Sequence, residues 1–231
     1  RAELAAIYLI FNEGYVASSG DRLVRDDLRA GATPLARVLS DLMSGEPEVL
    51  GLLALMLLIE SRRAARVGPD GQLVLLVDQD RTRWNHALIA EGQAIDRQCL
   101  RHNRPGPYQI QPAINAVHSD AASAAATDWR QVLQLYDQLL TFVPSPVVAL
   151  NRAVAVAEVD GPAAALRLVD ALDVERHHLD RYHLFHAVRA DFLRRLGRAE
   201  EAATQYAKAI EYSANSAEKD FLRSKAEMLG D

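Results

Sequence analysis

The most informative polar side chains of this 231-residue chain fall in three segments of its first half. Asn12, Glu13 and Tyr15 stand in one, Glu60, Arg62 and Arg63 in the next, and Asp78, Gln79, Asp80, Arg81, Trp84 and Asn85 in the third. Several interrupt or border strongly apolar stretches, where a charge left without a partner costs about 3–5 kcal/mol. Together they could form a charge-assisted hydrogen-bond network that holds the segment 67–77 against the first helices. The same groups could instead wall a polar pocket for a small ligand, or remain solvated at helix ends and turns. Acid–base catalysis would ask more of them. Glu13 with Glu60, or Asp78 with Asp80, would have to oppose one another across a substrate in unlike environments, and spacing alone does not supply that.

Two further groupings invite chemical readings. His183 and His186 lie one helical turn apart, with Asp180 and Asp191 nearby, a spacing that could offer two imidazoles to a metal or simply form a polar helix face. Cys99 could serve as a nucleophile only if a neighbour lowered its thiol pKa, and an inert helical cysteine is the simpler reading. The sequence has no Gly-rich phosphate loop, no dinucleotide fingerprint, no His-Glu-x-x-His and no Gly-x-Ser-x-Gly. The expectation is therefore a protein that is not an enzyme, with no catalytic residue, cofactor or metal.

Composition narrows the partners. The formal charge of −5, from 26 basic and 31 acidic residues, gives no general attraction to nucleic acid or to an anionic membrane. With 49% hydrophobic residues the chain can bury a large core, and a single cysteine excludes an internal disulfide and suits a reducing, cytoplasmic setting. The longest apolar run, Val49 to Ile59, has 11 residues where a membrane-spanning helix needs about 20, so it reads as a buried core helix. Arg1 stands where an initiator methionine would, and the sequence reads as a fragment or processed product.

These residues need helices to position them, and the spacing predicts helices almost throughout. Leu4, Ile7, Tyr8, Phe11 and Tyr15 mark the first, ending near Ser18-Ser19-Gly20. Leu35, Val38, Leu39 and Leu42 mark a second with Pro34 near its start, and Pro47 opens a third that is apolar on almost every side. Between Val67 and Val77 the pattern breaks: Pro69-Asp70-Gly71 is turn chemistry, followed by a short extended or β-hairpin-like insertion. Helices follow around Trp84 to Leu100, from Tyr108 to His118 and from Trp129 to Leu140. The Ala/Ser-rich stretch 120–127 divides a helical core, 1–120, from a repeat-like region, 121–231, the two closely packed as one unit.

Asp160-Gly161-Pro162 and Leu196-Gly197 are tight joins between helices, 36 residues apart at their glycines and close to the 34-residue tetratricopeptide period. Ala190, Gly197, Ala202, Tyr206 and Ala209 resemble the small, turn and aromatic positions of that repeat. The Gly161 repeat departs from it at Leu166 and Asp170. The fold class expected is all-α, multihelical antiparallel hairpins with a tetratricopeptide-like C-terminal half.

Longer strings carry a more specific likeness. IYLIFNEGY (7–15), EPEVLGLLALMLL (46–58), SRRAAR (61–66) and DGQLVLLVDQDRTRW (70–84) occupy the first half. GPYQIQPAI (106–114), TDW (127–129), SPVVALNRAVAVAEVDGP (145–162) and YHLFHAVRADFLRRLGR (182–198) continue it. In these strings the chain resembles the long C-terminal helical extension of a subfamily of bacterial extracytoplasmic-function RNA polymerase sigma factors. One departure is Gly31 to Met43, where Gly31 and Pro34 would shorten or bend a helix that relatives resemble as continuous.

The resemblance implies a regulatory or protein-interaction module that supports promoter-dependent transcription initiation. Its partners would be the sigma regions of the full-length protein and RNA polymerase core, with a further regulatory protein as another. The promoter-reading helix-turn-helix is not recognisable here, so no direct DNA binding is expected, and no membrane partner. Arg152, Tyr182, His186, Arg189 and Arg195 are the candidate exposed partner surface, because Arg and Tyr anchor interfaces well when desolvated. The alternative function is a small-ligand sensor that uses the polar set of the N-terminal half.

Overall fold

Pro47 opens the helix around which the N-terminal half is built: its missing amide hydrogen falls in the first turn, where amides lack an intrahelical acceptor. In the computed structural model, which describes residues 2–15, 26–69, 71–176 and 178–229, this helix is the third of twelve α-helices among the described residues. They are α1 (Ala2–Tyr15), α2 (Asp26–Leu42), α3 (Pro47–Glu60), α4 (Arg63–Arg66), α5 (His86–Arg101) and α6 (Pro107–Asp120). The second set comprises α7 (Trp129–Phe142), α8 (Pro146–Val159), α9 (Pro162–Asp170), α10 (His183–Arg195), α11 (Ala199–Tyr212) and α12 (Ser216–Glu227). No strand occurs among the described residues. The molecule is all-helical.

Every residue of α3 from Val49 to Ile59 is buried, so its uniform apolarity is satisfied by neighbours on all sides: α1, α2, α5 and α6. Its approach to α6 is set by two residues together. Pro112 lies inside α6 and has no amide hydrogen to give the Tyr108 carbonyl one turn back. Gly51 packs on that same carbonyl, so closely that a Cβ at position 51 would lie 2.1 Å from it.

Helix α2 corrects two expectations. It runs unbroken from Asp26 to Leu42 with Pro34 inside it, so Pro34 does not start it. It also turns its small residues inward: Ala32, Ala36 and Ser40 are buried, whereas Leu35, Val38 and Leu42 are 50%, 54% and 78% exposed. Small side chains at four-residue spacing let α2 lie close on α1 and α3, and the larger ones are left facing out. The expected loop around Ser18-Ser19-Gly20 lies outside the described residues.

Between α4 and α5 the chain is extended, with an isolated antiparallel bridge between Val67 and Leu73, then two short 3-10 turns at Leu76–Asp78 and Arg81–Arg83. From α6 onward each helix packs on the one before it. Ser145 and Asp128 cap α8 and α7 by accepting from the Val148 and Gln131 amides. Gly161 and Gly197 make their tight joins with φ of +89° and +71°, the left-handed region that only glycine enters freely. Across the expected boundary at 120–127 the core is continuous, since Ile110, Ile114 and Val117 of α6 pack with Val132 and Leu139 of α7.

Candidate functional site

Arg62 and Arg81 form the centre of the polar assembly, and both reach for α6. Arg62, which follows α3, is buried and donates from Nη2 to Asn115 Oδ1 at 2.5 Å. Arg81, in the second 3-10 turn, donates from Nη1 to the carbonyls of His118 at 2.5 Å and Ala121 at 2.8 Å. These carbonyls close a helix whose final turn has no internal donors to offer them, and a cation there also meets the negative end of the helix dipole. The Arg81 guanidinium carbon lies over the ring of buried Trp84, 4.5 Å from its centroid, within cation–π range.

The supporting bonds are local. Asn85 caps α5 by accepting from the Ala87 and Leu88 amides, and its own amide donates to the Ser61 carbonyl at 2.8 Å, tying the start of α5 to the end of α3. Asp80 accepts from the Thr82 amide and hydroxyl, which hold its carboxyl below the usual carboxylate range. His118 is buried beside Arg62 and Arg81, and burial together with those two cations pushes its imidazole down to about 4. It is neutral at pH 7 and packs edge-on to Trp129, with ring centroids 5.2 Å apart.

Arg81, which follows the 67–77 segment, is fastened to α6 through helix-end carbonyls, and Arg62 reaches the Asn115 side chain of the same helix. Arg62, Arg81, Trp84 and Asn85 are brought together. Asp78 and Asp80 are exposed on turns, two residues apart, a placement that cannot bracket a substrate. Glu60 and Arg63 approach to 3.9 Å at the end of α3, Glu13 is half-buried on α1, and the Tyr15 side chain lies outside the described residues.

Beside the network opens a cleft of about 360 Å³ between α1, the end of α3, the 73–79 segment and α6. Asn12, Arg62, Arg66, Gln79 and Asn115 supply its polar wall, and Ile59 and the run Leu73 to Leu76 supply its apolar wall. Gln79 Nε2 donates to the Val74 carbonyl, while Gln79 Oε1 is buried without a hydrogen-bond partner.

On the repeat-like half the candidate surface arginines mostly serve the fold. Arg152 pairs with Asp137 of α7 at 2.6 Å, Arg189 with Asp170 of α9 at 2.7 Å, and Arg195 with Glu158 of α8 at 2.7 Å, each joining neighbouring helices. His186 corrects the expectation of exposure. It is buried, with Nδ1 2.9 Å from Gln205 Oε1 and Nε2 2.8 Å from the Asp180 carbonyl, so both ring nitrogens are occupied within the protein. Its helical partner His183 lies 3.2 Å from Glu218 of α12. Tyr182 is half-buried against the α10 core.

Sequence reasoning missed Glu48, Asp96 and the acceptors on α6. Glu48 reaches from α3 to cap α6, accepting from the Tyr108 amide at 3.3 Å and Gln109 Nε2 at 3.0 Å. Asp96 is buried in α5 with Oδ1 unpaired, and desolvation raises its carboxyl to about 6. One turn on, burial pushes the Cys99 thiol up to about 12. A charged residue on the i, i+4, i+7 face that carries Gly92, Asp96 and Cys99 is the signal that could have pointed to Asp96.

The model of a family of unknown function, DUF6596, matches residues 1–100. The chain is also 45% identical over 223 residues to an uncharacterized protein of Rhizobium meliloti (strain 1021), a match covering 96% of this chain and 52% of that protein. It thus spans about half the length of the curated relative it matches. No solved structure matches it.

Proposed function

We propose that the chain is a regulatory, protein-interaction module of an alternative RNA polymerase sigma factor, one that supports promoter-dependent initiation without itself reading DNA. The observation that carries this reading is the outer face of α2. Leu35, Val38 and Leu42 are spaced as one helical stripe and are half to three-quarters exposed, with Met43 42% exposed beside them. A contiguous apolar stripe of this kind marks a surface that a partner covers. The matched relative is about twice as long as this chain, which leaves room in a longer protein for the sigma regions we propose as that partner.

The repeat-like half is consistent with the same role. Ala190, Ala202 and Ala209 are fully buried where α10 meets α11, with Tyr206 filling the groove beside them, the packing that a tetratricopeptide-like pair uses. We read the 67–78 insertion as a hairpin-like strap over the end of α3. No described helix is long and apolar enough to cross a membrane. A cytoplasmic module that contacts sigma regions and RNA polymerase core fits these features together.

Binding to the separately expressed sigma regions tests the reading. Wild-type chain should co-elute with them in gel filtration, and a Leu35→Ser, Val38→Ser, Leu42→Ser variant should not. Equal co-elution of both proteins would remove α2 as the docking face.

A further inference from the structure

The cleft beside the arginine network carries a polar demand that the protein leaves unmet. Its volume, about 360 Å³, is at the small end of the range for ligand sites. Much of its polar wall is satisfied from within. Arg62 gives Nη2 to Asn115 Oδ1, Asn115 Nδ2 gives to the Gln111 carbonyl at 2.9 Å, and Arg66, like Arg62, has partners in the protein. These cations therefore call for no anion. No carboxylate among the described residues lines the cleft, so an ammonium would find no counter-charge there either.

Gln79 is different. The Val74 amide donates to the Arg66 carbonyl at 2.8 Å, and the Val74 carbonyl accepts from Gln79 Nε2 at 3.2 Å. That second bond fixes which end of the Gln79 amide is nitrogen and leaves Oε1 buried with no donor. A buried acceptor in that state is costly, and a donor brought to it recovers the loss. The apolar wall is hydrocarbon from Ile59 of α3 and the run Leu73 to Leu76. An amide ligand would bring a carbonyl as well as an N–H, and Gln79 Nε2 and Asn115 Nδ2 are already engaged. A hydroxyl makes the smaller demand.

We propose that this cleft binds a small neutral alcohol with a short hydrocarbon body. Its hydroxyl donates to Gln79 Oε1, and its body lies on Ile59 and the run Leu73 to Leu76. The site goes beyond the docking reading and does not depend on it, because none of these residues belongs to α2.

NMR titration of the full chain tests this with three probes: hexan-1-ol, its isomer 1-methoxypentane, which has no donor, and hexanoate, which is charged and has none. Hexan-1-ol should bind on the order of tenfold tighter than the ether, the change expected of one recovered hydrogen bond, and hexanoate no tighter than the ether. In Gln79→Leu the alcohol should fall to the affinity of the ether, with ether binding unchanged. The comparison in the wild-type chain decides the matter whether or not that variant folds. Equal affinity for alcohol and ether, the result expected if water alone satisfies Gln79, would overturn the assignment. So would tightest binding by hexanoate, an alcohol preference that survives Gln79→Leu, or no binding of any probe.

Discussion

Arg81 Nη1 donates to the His118 carbonyl at 2.5 Å, joining the insertion after α4 to the last turn of α6 across 37 residues of sequence. The same nitrogen holds Ala121, and the guanidinium lies over the Trp84 ring, so one side chain fixes three elements. Arg81→Ala should destabilise the fold by about 2–3 kcal/mol, the value of hydrogen bonds from a charged donor whose acceptors are half-buried. Arg81→Lys should recover only part of that, because an ammonium is neither forked nor flat. Urea denaturation of the two variants checks the order, and equal loss in both would deny the role of guanidinium geometry.

Gly51→Ala separates local propensity from packing. In an isolated helix alanine is better than glycine by about 1 kcal/mol. Here the added Cβ would stand 2.1 Å from the Tyr108 carbonyl carbon's oxygen, so α3 and α6 must move apart. The expected outcome is a loss of about 3 kcal/mol, at the upper end of overpacking costs, read as a lowered Tm. Stabilisation would show that the two helices are not held at this distance.

Asp96 and His118 should oppose each other in the same pH window. The Asp96 carboxyl is raised to about 6 from 3.8, so the folded state binds the proton first and stability from this group grows as pH falls from about 6 toward 4. The His118 imidazole is lowered to about 4 from 6.5, so the unfolded state binds first and stability is lost over nearly the same range. Asp96→Asn should therefore be more stable than wild type at pH 7, by about 2 kcal/mol, and should lose stability more steeply on acidification. His118→Asn should show the reverse slope. Unfolding free energies at pH 7 and pH 4.5 decide it, and parallel pH profiles for all three proteins would contradict both assignments.

Cys99 donates its thiol to the Pro47 carbonyl at 3.5 Å and is fully buried, with its pKa pushed up to about 12. It should be inert to a thiol-specific chromogenic reagent at pH 8 in the native state and react fully in denaturant. Rapid native-state reaction would place it in a mobile or open region instead.

The helices were legible in the sequence wherever a cap or a first-turn proline agreed with the apolar period. Pro47, Ser145-Pro146 and Gly161-Pro162 start α3, α8 and α9 as their residue types require. Helix α2 was misread in orientation because periodicity finds the large apolar residues and assumes they face inward. Ala32, Ala36 and Ser40 form the buried face, and such small residues carry little signal of their own. The arginine network was half legible: Arg62 and Arg81 were identifiable as charges beside apolar runs. Their acceptors were backbone carbonyls and the Asn115 amide, and only folding brings those into reach. His186 looked like a surface group because its polarity suggested water, while its actual partners, Gln205 and the Asp180 carbonyl, come from a neighbouring helix and the preceding turn.

In the proposed role this scaffold belongs to a sigma factor and acts upon transcription through its exposed faces. Reconstituted promoter-dependent transcription with three inputs measures that directly: the full-length sigma factor, the same protein lacking this region, and the shortened protein with this chain added in trans. Deletion should change output, and addition of the wild-type chain should restore it while the Leu35, Val38 and Leu42 serine variant does not. Identical output from all three inputs would contradict a regulatory role for the chain.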